Sequence, residues 1–279
     1  MHRKSFTLIE LLVVMVIIGI LAGVIMISTS SSIDKASIAK AKVFDESTKN
    51  NLMLDLVSER DFNDSSHPYY DSWGDNNGSC TSCPIYLSSN ECIRGGCAYF
   101  ELDNSYIVLS RTFKLENNSG TLSFWYKKIN NVNSAIFAKD ANNYYSFLRF
   151  SSEGTLGGET DTNSLYLPNY AAPANDQKWH NYVLILGSEN SKLYVDGVAG
   201  SDQAILGNTV TLNSIGASSV TAYAEYLKGY IDEIKFYNKP LSEAQIKNNY
   251  LADLKIIFAS KKLSREDYNE KVNNLSYEK

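Results

Sequence analysis

The chain has 279 residues, 44% of them hydrophobic and 20% charged, enough to bury a sizeable core in one or two domains. Its 26 Lys and Arg against 31 Asp and Glu leave a formal charge of −5, and no basic stripe interleaved with aromatics occurs. Nothing in it therefore supports direct nucleic-acid binding.

The first element is an apolar run, "FTLIELLVVMVIIGILAGVIMI", which holds no charge from Leu11 to Ile27. About 20 apolar residues at 1.5 Å each span the ~30 Å hydrocarbon core of a bilayer. His2, Arg3 and Lys4 precede it, so the positive-inside rule keeps the N-terminus cytoplasmic and sends the remainder outside. A secretory signal peptide needs a shorter apolar core and a small-residue cleavage site, and Ser28-Thr29-Ser30-Ser31-Ser32 is a poor match to one. Glu10 is the exception within the run. A carboxylate in hydrocarbon costs several kcal/mol unless it is paired or neutralised, and a plain anchor gains nothing from it.

Placed just after a basic leader, "FTLIELLVVMVIIGILA" resembles the class III signal of type IV pilins and pseudopilins. The resemblance implies cleavage by a prepilin peptidase between Ser5 and Phe6, with residues 1–5 as leader, and methylation of the new N-terminus at Phe6. It places Glu10 on the family's fifth mature position and Gly19 on a glycine common in that helix. The role implied for Glu10 is to attract the positive amine of Phe6 on a neighbouring subunit and so set the stagger between helices. The implied partners are other pilin subunits, the peptidase and the cytoplasmic membrane. Ser5 stands where the family nearly always has glycine, and Ile27 where many members have proline.

From Ile33 the sequence continues as helix, with Ala36, Ala39, Ala41, Val43 and Phe44 apolar and Lys35, Lys40, Lys42 and Lys49 facing water. A spine helix over 6–52 would run ~70 Å, its first half in membrane or filament core and its second half on a globular head. Beyond it the pattern turns extended. "SYIVLSRTF", "GTLSFWYKK", "NSAIFAKD", "NYYSFLRFS", "HNYVLILGS", "SKLYVDG" and "GYIDEIKFYN" alternate with period two between turn residues. Asp196-Gly197 signals a hairpin. The fold class expected is α+β: a long N-terminal membrane-inserted helix, a mainly antiparallel β-sandwich, and a C-terminal helical tail.

"KWHNYVLILGSENSKLYVDG" followed by "GYIDEIKFYNKPLSEAQIKNNY" resembles the closing half of a laminin-G-like, concanavalin A-like jelly roll. The looser likeness of "DSWGDNNGS" and "GGCAYFELDNSYIVL" extends that resemblance over roughly 53–251. Ser242 with Gln245 marks the start of a helix after the last strand. The tail, 252–279, resumes a helical stripe at Leu251, Leu254, Ile257 and Phe258, and Ser264 with Asp267 caps a second short helix.

Cys80, Cys83, Cys92 and Cys97 fall within 18 residues. Their C-x2-C-x8-C-x4-C spacing admits zinc, but structural zinc sites usually separate their pairs more widely, and a head outside the membrane favours disulfides. Of three pairings, the local ones, Cys80–Cys83 and Cys92–Cys97, are preferred.

No nucleophile–base pair is present, and His180 in "KWHNY" reads as a structural histidine. Retaining glucanases need carboxyls ~5 Å apart, whereas Asp232 and Glu233, adjacent on a strand, should point to opposite faces. Alternation puts Asp232 on the buried face with Tyr230, Ile234 and Phe236, where a carboxylate needs hydrogen bonds or a cation. The plainer expectation is hydrogen bonds from loop backbone. The oxygen-rich loop of Asp71, Asp75 and Asn76 raises a structural calcium held by Asp71, Asp75 and Asp232, because jelly rolls of this type often bind calcium. No other cofactor is implied.

Together these readings describe a membrane-inserted pilin-like subunit, minor or tip-proximal, that becomes part of a surface filament and carries a non-enzymatic head binding a glycan or protein. A pseudopilin of a secretion or DNA-uptake machine is the alternative, and a membrane-tethered carbohydrate-active enzyme is the alternative of another class.

Overall fold

The computed structural model describes residues 8–88, 90–115, 120–139, 147–159, 166–171, 174–186, 190–200, 203–204, 210–217 and 225–275, with backbone alone at 22–31 and at several strand ends. The helix α1 (Leu8–Asn50) forms the spine. Ser5 and Phe6 lie outside the described residues. From Leu8 to Leu21 its large apolar side chains are open to the surroundings, from 81% at Leu8 to 47% at Val14. Among the described residues no helix is long and apolar enough to cross a membrane; the sequence run expected to do so continues through 22–27, whose side chains are not described.

The strands are β1 (Leu56–Arg60), β2 (Gly78–Ser79), β3 (Ile85–Leu87), β4 (Cys97–Phe100), β5 (Ile107–Leu115), β6 (Thr121–Lys128), β7 (Ser134–Ala138), β8 (Phe147–Phe150), β9 (Thr155–Glu159), β10 (Tyr166–Ala171), β11 (His180–Leu186), β12 (Asn190–Val195), β13 (Val198–Ala199), β14 (Gln203–Ala204), β15 (Val210–Ile215) and β16 (Gly229–Tyr237). They make two antiparallel sheets. One runs β13-β12-β11-β6-β16-β4-β3, with β1 added to β16 and β14 to β12; the other runs β10-β9-β8-β7-β15-β5-β2. The sheets pack face to face as a jelly roll around Phe100, Leu122, Phe124, Tyr126, Phe137, Phe150, Tyr182, Leu184 and Phe236, all 1% exposed or less. Alternation drives this: Leu122, Phe124 and Tyr126 of β6 point inward, while Trp125 points out. The rings interlock, Phe113 stacked on Phe236 at 3.8 Å and Phe124 edge-on to Phe137 at 5.2 Å. Asp196 and Gly197 both take positive φ, 51° and 77°, as a two-residue primed turn demands, and join β12 to β13.

Two helices follow β16. Ser242 caps α2 (Glu243–Ala259) through a complete capping box with Gln245, and Ser264 caps α3 (Arg265–Asn274) by accepting from the Asp267 amide. The helix α2 lies on the outer face of the first sheet, burying Trp125, Tyr250, Leu254 and Ile257 in one cluster and Leu241 and Ile246 with Val183 and Tyr194 in another. It also packs along α1: Lys255 sits 3.3 Å from the Phe44 ring centre, and Lys261 pairs with Asp34 at 2.5 Å. Cys80 is bonded to Cys83 and Cys92 to Cys97, the second bridge pinning the loop between β3 and β4.

One expectation needs correction. The strand β16 does not alternate uniformly, because its pairing with β6 shifts register between Asp232 and Lys235, and Glu233 takes φ 50°. Ile231 faces the core before this bulge and Ile234 and Phe236 after it. Asp232 is therefore on the face opposite Ile234 and Phe236, and Glu233 shares its side instead of opposing it. The extra residue is what puts two adjacent carboxylates under the same helix.

Candidate functional site

The bulge turns Asp232 and Glu233 toward the junction of spine, sheet and α2, where the disulfide-pinned loop delivers Arg94. The Arg94 guanidinium contacts Asp45 of α1 at 3.0 Å, Asp253 of α2 at 2.8 Å and Glu233 at 3.4 Å. Its backbone amide donates to Asp232 at 3.0 Å, and the Glu233 amide donates to the other oxygen of the same carboxylate at 2.7 Å. Trp125 Nε1 donates to Asp253 at 2.9 Å, and Lys235 pairs with Glu233 at 2.9 Å. Lys49 of α1 reaches Glu59 of β1 at 3.0 Å. Burial would raise the Glu233 pKa, but the charges of Arg94 and Lys235 outweigh it and hold the group at about 2. Burial, followed by the charge of Glu233, pushes Asp232 well above the usual carboxylate range. The carboxylates here are engaged by internal partners. They fasten three elements together.

The loop aspartates have a comparable structural task. Asp71 accepts from the amides of Glu59 at 3.0 Å, Trp73 at 3.1 Å, Gly74 at 2.8 Å and Asn76 at 3.2 Å. With the Ser72 amide on the Glu59 carbonyl and Trp73 Nε1 on the Leu56 carbonyl, this loop covers the free edge of β1. Asp75 pairs with Arg111 at 2.5 Å on the surface. The structure does not gather Asp71, Asp75 and Asp232, and among the described residues no three His, Cys, Asp or Glu side chains converge as metal ligands.

A cleft of about 610 Å³ opens between the outer face of the first sheet and the C-terminal helices. Its floor is Trp125, Tyr250, Leu254 and Ile257, its outer wall α3, and its inner wall the segment 176–180. Trp179 is held there by its indole N–H on the Glu91 carbonyl, 2.9 Å away, and leans on Tyr230 at 6.2 Å between ring centres. Gln177 takes φ 60°, an uncommon conformation for a residue with a side chain. His180 bridges Asp196 at 2.8 Å and Asp176 at 3.0 Å, and Lys271 of α3 joins Asp196 at 3.1 Å. Burial alone would lower the His180 pKa; the hydrogen bonds and charges of Asp196 and Asp176 prevail and raise it. The Tyr250 hydroxyl is buried beside Asp196. Sequence reasoning noted His180 as structural but missed the cleft, since its walls come from residues 93 to 274.

Neighbouring Tyr99 and Tyr230 are stacked on each other at 4.4 Å with rings 17° apart, and Lys127 lies 4.9 Å from the Tyr230 ring centre. This cross-strand stack stiffens the sheet.

Residues 102–247, more than half of the chain, match the concanavalin A-like lectin/glucanases superfamily. The chain belongs to this superfamily. Residues 1–26 match the prokaryotic N-terminal methylation motif, which is the type IV prepilin signal. Among solved structures of similar fold, the ligand-binding domain of botulinum neurotoxin serotype D, in complex with N-acetylneuraminic acid, aligns at TM-score 0.57 and 14% identity over 74% of this chain and 53% of its own. Domain 4 of AbnA, an extracellular arabinanase from Geobacillus stearothermophilus in complex with arabinotriose, aligns at 0.54 and 18%, over 70% of this chain and 98% of its own. The binding domain of Paraclostridial Mosquitocidal Protein 1 aligns at 0.54 and 13%, over 73% and 53%. The chain thus spans about half the length of the two toxin domains, and at these identities the likeness is one of fold. No curated protein matches the chain. Half of the cleft wall, including all of α3, lies beyond the stretch that matches the superfamily.

Proposed function

We propose that the chain is a type IV pilin-like filament subunit, minor or tip-proximal, whose superfamily head binds a ligand at the cell surface. The observation that carries this is continuity. The methylation motif opens the same helix, α1, whose last turns are clamped into the head through Asp45 and Lys49. A head so fastened moves with the helix that assembles. Gly19 supports the reading, because a Cβ added there would meet nothing within 4 Å among the described residues, so its smallness serves no contact among them. In this account the prepilin peptidase cuts between Ser5 and Phe6, the helix sits in the cytoplasmic membrane before assembly, and the head ends on a surface filament.

The ligand complexes of the serotype D and AbnA domains support assigning a binding task to a head of this fold. The internal pairing of Glu233 and Asp253 supports a task without chemistry, since neither carboxylate is available to a substrate. The test is Glu10→Val. Its expected result is a chain that inserts in the membrane but is depleted from sheared filaments, seen by immunogold labelling of the head. Filament labelling equal to wild type would sink the assembly role of Glu10.

A further inference from the structure

We infer that the cleft beneath α3 is the ligand site and that it takes a neutral oligosaccharide. This rests on the reading of the head as a binding module and goes beyond it by naming place and chemical class. At about 610 Å³ the cleft has the size of a small-molecule site, and it sets an apolar, aromatic floor within walls of polar and charged side chains. Trp179 offers a partly exposed indole whose orientation is set by its bond to the Glu91 carbonyl. A sugar's C–H face packs on such a ring while its hydroxyls turn to the polar wall.

The polar wall fits hydroxyl groups. The Asp176 carboxylate is 38% exposed and anchored by His180, so it can accept from a ligand without moving. Tyr250 gives the floor its aromatic ring, while its hydroxyl is buried beneath, beside Asp196. Lys262 reaches into the cleft with its ammonium on the Cys92 carbonyl at 2.9 Å and has donors to spare.

Charge decides the class. The lining interleaves four lysines and His180 with four carboxylates, so no stretch of one sign is there to collect a polyanion or a cationic peptide. A peptide strand is disfavoured on a second count: β11, the strand at the inner wall, is hydrogen-bonded to β6 on one side and β12 on the other, leaving no edge to extend. An uncharged ligand with an apolar face and many hydroxyls is what remains.

The experiment uses the full-length chain in detergent micelles, titrated with arabinotriose and maltotriose as neutral probes and 3′-sialyllactose as the anionic one, followed by tryptophan fluorescence and calorimetry. Saturable binding of a neutral trisaccharide is expected, weakened about tenfold or more in Trp179→Ala and largely kept in Trp179→Phe, each variant being folded at the temperature of the titration. Head-dependent adhesion that persists unaltered in Trp179→Ala, with no neutral sugar bound, overturns the inference and leaves the filament-subunit reading standing. Loss of adhesion in Trp179→Ala with only the anionic sugar or a peptide bound also overturns it: the place would be right and the class wrong.

Discussion

Arg94→Ala is the perturbation whose consequence the structure states most sharply. The guanidinium, with its side chain 14% exposed, is the common partner of Asp45, Glu233 and Asp253, whose side chains are 8%, 1% and 7% exposed. Truncation leaves these carboxylates buried together without their cation, although Lys235 still reaches Glu233 and Trp125 still reaches Asp253. Removing one partner of a buried ion pair typically costs about 3–5 kcal/mol, because the charge left behind cannot be resolvated. For a domain of this size that corresponds to a fall in Tm of roughly 6–20 °C. Asp45→Asn is a graded control: it frees one arm of Arg94 and leaves two, so its cost should be about 1–2 kcal/mol and confined to the docking of α1. The assay is urea unfolding of the full-length chain in micelles, followed by the fluorescence of Trp125 beneath α2. A loss below about 1 kcal/mol for Arg94→Ala would refute the claim that this arginine joins spine, sheet and α2.

Asp71→Ala strips the acceptor from four amides that cover the β1 edge, and a loss of roughly 2–4 kcal/mol is expected in the same assay. Because those oxygens are already engaged, EDTA should leave Tm unchanged; a fall of several degrees on chelation would restore a calcium role for this loop. The His180 cluster sets a pH dependence. His180 has a raised pKa, so its contribution is full below its ordinary value of 6.5 and is lost as pH rises through the folded-state pKa. Asp196 has a lowered pKa, from the interactions with His180 and Lys271 that overcome its burial, so its contribution is full above 3.8 and is lost as pH falls through the folded-state pKa. The Tm advantage of wild type over His180→Asn should therefore be greatest between these values and shrink by pH 8.5. An advantage that grows above pH 7 would contradict the assignment.

Much of the sandwich is legible in short-range pattern. The period-two runs become β5, β6, β11, β12 and β16, and the caps at Ser242 and Ser264 and the turn at Asp196-Gly197 fall on residues whose chemistry forces them. "TLGGE" of β9 escapes notice because two glycines in five residues erase its strand signal, and β10 carries Pro168, which an edge strand tolerates. The bulge at Glu233 is illegible for another reason: a non-glycine residue at positive φ leaves no mark in composition, and one extra residue reverses the facing of all that precede it. Neither the Arg94 junction nor the cleft could be read locally. The first needs residues 45, 94, 233 and 253 together, and the second sets Trp179 opposite Lys271.

The account stands or falls on the N-terminus of the protein in its filament. Intact-mass and N-terminal mass spectrometry of sheared filaments should find the chain beginning at N-methylated Phe6, with residues 1–5 removed and the head attached. A chain in those filaments that still begins at Met1, or that is recovered only from the membrane, would contradict it.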